Sequence, residues 1–237
     1  MKILLLFIFF LMVIFPQAKY FAQSAADTAL LHEDNQKIRT LSGKELTAEG
    51  IDNYLKVQMD SLNVKGISMA IINDGRVVYH RALGIANINT QEMVDDQTIF
   101  ESGSIAKPVF SYFVMKMAEK GLLNIDTPLY KYLPYPDIEQ DSRYKLITAR
   151  MVLCHTTGFP NWRSFNPDGK LDLKFTPGTK FSYSGEGYKY LSLVIAHLTG
   201  RNLSNLDSLF QQEVAQPLNM EHAHFGINAY VTKHLAS

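Results

Sequence analysis

Ser104 and Lys107 stand at i and i+3 in Phe100-Glu101-Ser102-Gly103-Ser104-Ile105-Ala106-Lys107, at the head of an apolar run from Val109 to Ala118. Within that run only Ser111 and Lys116 are clearly polar, so the pattern predicts a helix buried nearly all round, with Ser104, Lys107 and Ser111 along one face. A lysine facing inward is costly unless paired or neutral, and burial lowers its pKa. Such a lysine can take a proton from a serine one turn away, which is how a hydroxyl becomes a nucleophile. The serine sits where free N–H groups and the helix dipole favour a developing oxyanion. A tyrosine beside the pair would complete the set by relaying the proton. Tyr183 is the candidate, in the Ser/Gly-rich bend Phe181-Ser182-Tyr183-Ser184-Gly185-Glu186-Gly187.

The spacing alone is weak, because about one Ser-x-x-Lys match arises by chance in a chain of this length. A second one is present, Ser142-Arg143-Tyr144-Lys145, in a polar stretch with no apolar helix behind it. The plain alternative for Ser104 is a helix cap with Lys107 reaching to solvent, and for Tyr183 an ordinary core or surface tyrosine.

Several elements must position these residues. Leu46 to Leu62 reads as an amphipathic helix capped by Thr47, with Ile51, Leu55, Met59 and Leu62 on one face. Ile67–Ile72 and Arg76–Arg81 read as strands joined by Asn73-Asp74-Gly75, a hairpin signal, and the first strand is apolar on both faces, predicting cover on both sides. The Ser104 helix should stop near Gly121. Asn124–Leu129 is turn-like and Tyr130–Asp137 irregular, followed by a short apolar helix over Ile147–Cys154. Residues 161–180 are loop-rich and hold the one tryptophan, Trp162, as ordinary packing or as the wall of a cleft. Tyr188–Leu198 and about Leu203–Ala215 read as the last helices.

The 237 residues allow one domain with a sizeable core, and 46% hydrophobic against 19% charged residues mark a folded globular chain. Formal net charge is zero with no basic block, so nucleic acid is not an expected partner. Met1-Lys2 followed by 13 apolar residues, Ile3–Phe15, reads as a secretory signal over residues 1–24, with cleavage before Ala25 or else after Ala22. The run is short against the roughly 20 residues of a membrane span, and an uncleaved anchor is the alternative. Removing Lys2 and Lys19 leaves 21 basic and 23 acidic residues. Residues 25–45 read as a flexible leader. Cys154, the one cysteine, has no intrachain partner and reads as a buried structural thiol. Secretion without disulfides fits a bacterial periplasm.

Five landmarks occur in order: the Ser104–Lys107 motif; Asp126-Thr127-Pro128-Leu129 with Tyr132-Leu133-Pro134; Ile147-Thr148 with His155-Thr156-Thr157-Gly158-Phe159-Pro160; Pro177-Gly178 with Phe181-Ser182-Tyr183-Ser184; and Gln216-Pro217-Leu218-Asn219-Met220. Together, over roughly residues 50–226, they resemble the serine β-lactamase-related family of class C β-lactamases, D-alanyl-D-alanine carboxypeptidases, D-aminopeptidases and esterases. The resemblance implies an α+β fold, an antiparallel sheet flanked by helices plus a helical subdomain. It implies Ser104 as acylated nucleophile, Lys107 as base and Tyr183 as proton shuttle; Ser184, Gly185 and Trp162 are the candidate substrate contacts. It implies no cofactor, and a small molecule or peptide as substrate.

The chain departs from the family pattern twice. Tyr183-Ser184-Gly185 has glycine where the family often has Tyr-x-Asn, so the amide that would bind a penicillin-like substrate is absent. The family's third motif, Lys-Thr-Gly or His-x-Gly on a later strand, has no counterpart before Ser237. His224-Phe225-Gly226 matches in letters but comes too early, in a segment that reads as loop, and His222 with His224 lacks a third metal ligand. The pattern is that of a family member lacking its C-terminal strands, which predicts an exposed hairpin edge and a chain unstable or weakly active by itself. Two functions compete: a secreted serine hydrolase acting on β-lactam, D-amino-acid peptide or small ester or amide substrates, and a non-catalytic relative that binds cell-wall-type ligands.

Overall fold

The computed structural model describes residues 37–237; the signal-type segment and its cleavage sites lie outside the described residues. The chain divides into two compact units, the first running to Asp96 with Ala236–Ser237 added, the second Gln97–Leu235. Among the described residues no helix is long and apolar enough to cross a membrane.

The first unit is a helix on a small antiparallel sheet. Strands β1 (Ile38–Arg39) and β2 (Glu45–Leu46) pair with each other. Of the flexible leader expected over residues 25–45, residues 25–36 lie outside the described residues and residues 37–45 form a tied turn, in which Ile38 is buried at 1% exposure. Asn73 extends the tie, its side chain accepting from the Arg39 N–H and donating to the Arg39 carbonyl at 2.8 and 3.1 Å. Helix α1 (Ala48–Leu62) starts at the predicted cap, where the Thr47 hydroxyl accepts from Gly50 N–H at 3.0 Å.

The hairpin of β3 (Gly66–Asn73) and β4 (Arg76–Asn87) turns through Asp74 and Gly75, φ 50° and 74°, as a two-residue loop whose twist matches the strands. β5 (Glu92–Met93) completes the order β3-β4-β5. Ile51 and Leu55 of α1 are buried against Tyr79 and against half-buried Ile67, Met69 and Ile71, and burying an Ile51 or Leu55 side chain stabilises by about 1.5–3 kcal/mol. Asp52 accepts from the Tyr79 hydroxyl at 2.7 Å and from Arg81 Nε at 3.0 Å, pinning helix to strand. Cover on both faces of β3 is not what forms: Ser68, Ala70 and Ile72 alternate outward and are exposed. Two of those three side chains are small or polar, and the sequence run looked two-sided because alternation was hidden by Ala70 and Ile72.

The second unit is helical. Helix α2 (Ala106–Glu119) buries Phe110, Phe113, Val114 and Met117, an i, i+3, i+4, i+7 stripe. It is not buried all round, because Tyr112 and Met115 on its far side are about half exposed. Short 3₁₀ turns at Leu129–Lys131, Pro136–Ile138 and Ser142–Leu146 lead to α3 (Ala149–Leu153). The second Ser-x-x-Lys match lies on the third of these turns, with Ser142 and Lys145 exposed.

α3 ends at Cys154, which is exposed rather than buried, because the inward positions of this helix are Ala149 and Val152. Helix α4 (Gly185–Leu198) buries Tyr190, Leu191, Val194 and Ile195, and the Tyr190 ring stacks on Tyr135 at 4.4 Å. The predicted last helix is broken into a 3₁₀ turn, α5 (Leu206–Phe210) and a π-helical turn over Gln211–Ala215. α6 (Ala229–His234) closes the unit. His224 and Phe225 serve the core: Phe225 stacks on Phe210 at 3.9 Å, and His224 Nδ1 lies 3.0 Å from the Asp207 carboxylate.

Candidate active site

Gly103 turns the chain into the second unit's first helix with φ 52°, and Gly103–Ile105 form a 3₁₀ turn that continues as α2. Ser104 is thus presented on a helix N-terminus, open to solvent, with Lys107 half-buried one turn on. Lys107 Nζ donates to Ser104 Oγ at 3.2 Å. Tyr183, 79 residues later, donates its hydroxyl to the same oxygen at 2.7 Å. The fold therefore gathers Ser104, Lys107 and Tyr183 around one atom. Ser111 does not join them: its hydroxyl donates to the Lys107 carbonyl at 2.8 Å and lies 3.3 Å from the Tyr188 hydroxyl.

The ammonium of Lys107 lies 4.9 Å from the centre of the Tyr183 ring and 5.6 Å from that of Tyr188. The Lys107 hydrogen bond, followed by the one to Ser104, pulls the Tyr183 phenol below its ordinary value, because both favour the phenolate. The helix dipole at Ser104 acts in the same direction, stabilising negative charge there.

Ser184 and Gly185, expected against substrate, face inward. Ser184 is 1% exposed and is the N-cap of α4, its hydroxyl accepting from Gly187 N–H at 3.0 Å and donating to the Pro160 carbonyl at 2.9 Å. Helix α4 thus begins three residues before the predicted start at Tyr188. Gly185 N–H donates to Asn161 Oδ1 at 3.0 Å, and a Cβ on Gly185 would sit 2.9 Å from the Asn161 carbonyl and 3.1 Å from the Trp162 ring. Trp162 is half exposed, its indole packed over Gly185.

Glu186 holds this loop in place. Its carboxylate accepts from Arg163 Nε at 3.1 Å, Arg163 Nη2 at 2.8 Å and Arg163 N–H at 3.1 Å. Arg163 also donates to Asp137 and to the Tyr135 hydroxyl. Burial alone would push the Glu186 carboxyl up, but the Arg163 hydrogen bonds override it and hold the group below the usual carboxylate range.

Two neighbours had no assigned role from sequence, His155 and Tyr188. The His155 ring stacks on Tyr183 at 4.4 Å and leans on Tyr188 at 5.3 Å. Its Nδ1 accepts from Ser184 N–H at 3.1 Å. Burial, and behind it repulsion from Lys107, push its pKa below the ordinary histidine value. The signal for His155 was its place in one of the ordered landmarks; nothing local marks it.

A cavity of about 560 Å³ opens behind the first turn of α2, between Phe100–Val109 and Met220–Leu235; Ser104, Lys107 and Tyr183 do not line it. Among the described residues no group of three His, Cys, Asp or Glu side chains is arranged to hold a metal.

Residues 51–237 match the family model described as beta-lactamase. The chain is 23% identical over 199 residues to Protein flp of Staphylococcus aureus (strain MW2), covering 78% of this chain and 39% of that protein. It is 27% identical over 188 residues to Esterase EstB of Burkholderia gladioli, covering 68% of this chain and 47% of that one. Among solved structures, D-alanine carboxypeptidase AmpC from Burkholderia cenocepacia superposes with a TM-score of 0.64 at 22% identity, over 78% of this chain and 52% of that one. The chain thus spans about half or less of the length of these proteins.

Proposed function

Because the chain belongs to the β-lactamase family, we propose that it is a serine hydrolase working through an acyl-enzyme on Ser104. The observation that carries this reading is the convergence of Lys107 Nζ and the Tyr183 hydroxyl on Ser104 Oγ, at 3.2 and 2.7 Å. With one proton withdrawn from the Lys107–Tyr183 pair, the pair accepts the Ser104 hydroxyl proton as Oγ bonds to the substrate carbonyl carbon. The carbonyl π electrons move to oxygen, beside the helix N-terminus. Collapse of that intermediate breaks the bond to the leaving group, which takes the proton back through Tyr183. Water then repeats the sequence on the acyl-enzyme and frees Ser104.

The substrate class on this reading is a β-lactam, a D-amino-acid peptide, or a small ester or amide. Gly185 offers no side chain to a ligand and is capped by Trp162, which favours a small ester over a substrate that needs an amide partner at that position. The Met1–Phe15 pattern supports a place in the periplasm or outside the cell, with a membrane anchor if that segment stays uncleaved. The alternative of a non-catalytic binding protein draws on the same bare Gly185. Intact mass after exposure to a fluorophosphonate, and separately to a penicillin, decides between them. A single adduct lost in Ser104→Ala supports the hydrolase; a folded chain that forms no adduct refutes it.

A further inference from the structure

His155 follows α3 with φ 56°, a left-handed backbone that a β-carbon disfavours. Glycine is the usual occupant of that position after a helix, and here the Thr156 N–H closes back on the Met151 carbonyl at 2.8 Å, as such an end requires. A histidine that bears this strain is held by something. Four contacts hold it: the Ser184 N–H on Nδ1, the face of Tyr183 at 4.4 Å, Tyr188 at 5.3 Å, and the edge of Phe181 at 5.9 Å. The His155 carbonyl also accepts from Ser182 N–H at 2.8 Å, so backbone and side chain of one residue bracket Tyr183 from both sides.

We propose that His155 is a positioning residue for the Ser104 chemistry: its neutral ring is the platform that keeps the Tyr183 hydroxyl on Ser104 Oγ, and its protonation releases that platform. The proposal rests on the hydrolase reading for its effect on rate, but its structural part does not need turnover. A nitrogen that accepts the Ser184 N–H carries no proton, so the neutral ring keeps its hydrogen on Nε2. Adding a proton at Nδ1 turns that hydrogen bond into a clash of two donors. It also sets a second cation beside Lys107, with Tyr183 from the segment before α4 and Tyr188 from α4 as the other titratable groups facing the ring. The release falls below the ordinary histidine value of about 6.5.

The test uses His155→Gly, which suits the left-handed backbone, and His155→Asn, which tolerates it and keeps an acceptor for Ser184 N–H without titrating. Tyr183 is followed by tyrosine ¹³Cζ NMR titration, assigned with Tyr183→Phe. Ser104 is followed by fluorophosphonate labelling across pH. In His155→Gly the melting temperature holds or rises, the Tyr183 titration moves up toward the ordinary tyrosine value, and labelling slows by about tenfold to a hundredfold. His155→Asn recovers part of both and lacks the break in labelling below about pH 6.5 that the native chain shows. If Tyr183 titrates identically in both variants and the native chain, the platform does not exist and the proposal fails. If the native chain is never labelled, the hydrolase reading fails while the Tyr183 titration still decides the role of His155.

Discussion

Arg163→Ala is the substitution whose cost the structure lets one work out in most detail. The Glu186 side chain is 3% exposed and Arg163 26%. Truncation removes both guanidinium bonds to Glu186 and leaves its carboxylate with one donor, the backbone N–H of residue 163. The Tyr135 hydroxyl loses its donor too, while Asp137, 43% exposed, re-solvates at little cost. Leaving a buried charge without its partner costs about 3–5 kcal/mol. For a chain of this size that lowers the melting temperature by roughly 10 °C.

Glu186→Gln removes the buried charge, keeps the shape, and leaves Arg163 with Asp137 and Tyr135, so it costs about 1–2 kcal/mol. The pair replaced together, Arg163→Met with Glu186→Gln, recovers most of the single-mutant loss, since no charge is left stranded. The assay is urea unfolding at pH 7 and pH 4. In the native protein the folded-state pKa of Glu186 is depressed, so its contribution is present above the unfolded carboxylate value of about 4.3 and is lost as pH falls through the lower folded value. In Arg163→Ala burial is opposed by only the one backbone N–H and by Lys189, so it raises the pKa and the variant is relieved on acidification. The gap between the two proteins therefore narrows from pH 7 to pH 4. A loss under about 1 kcal/mol that is the same at both pH values would refute the reasoning.

Tyr183→Phe slows labelling of Ser104 by about 10²–10⁴-fold with an unchanged melting temperature, as measured by intact mass and thermal scanning; labelling within threefold of native would remove Tyr183 from the chemistry. Native labelling rises with pH along a limb below the ordinary tyrosine value of about 10, because Lys107 and Ser104 favour the phenolate. Ser184→Ala destabilises by about 0.5–2 kcal/mol through loss of the α4 cap, measured by denaturant midpoint. Gly185→Asn, made to restore an amide, costs about 1–3 kcal/mol because its Cβ meets the Asn161 carbonyl at 2.9 Å; a neutral effect on stability would show the Trp162 loop to be free to move.

Ser104 with Lys107 was legible because i, i+3 is a local relation that a helix start makes geometric. Thr47, the Asp74-Gly75 turn and the end of α2 near Gly121 were legible for the same reason: caps and turns are written in one or two residues. Tyr183 is a candidate from its Ser/Gly-rich bend, and the order of distant landmarks singles it out. Cys154 reads as buried because Val152-Leu153-Cys154 is uniformly apolar, and only the helix phase, with Ala149 and Val152 inward, leaves it exposed. Nothing local marks His155, because its left-handed backbone is normally a glycine's and the glycine of that stretch is Gly158. What escaped the sequence was decided by tertiary partners: Arg163 reaching Glu186, and the His155 ring reaching Tyr183.

Ser184 and Gly185, expected at the substrate, are turned inward by the start of α4. Gly185 and Gly187 look like helix breakers, which moved the predicted start to Tyr188. In the fold both glycines are buried, and the helix begins at Gly185 because Ser184 caps it and the Asn161–Trp162 loop leaves no room for a side chain there. The Ser184 backbone is extended, with φ −139° and ψ 119°, and successive side chains on extended backbone point to opposite sides. Once the Ser184 hydroxyl turns inward to the Gly187 N–H, Tyr183 must turn outward, and outward is where Ser104 lies. The capping bond that starts the helix therefore also aims Tyr183 at Ser104. It follows that Ser184→Ala, by loosening the cap, slows Ser104 labelling along with stability, whereas Ser184→Thr, which can cap, preserves both. A Ser184→Ala chain that labels at the native rate while losing stability would separate the cap from the aim of Tyr183.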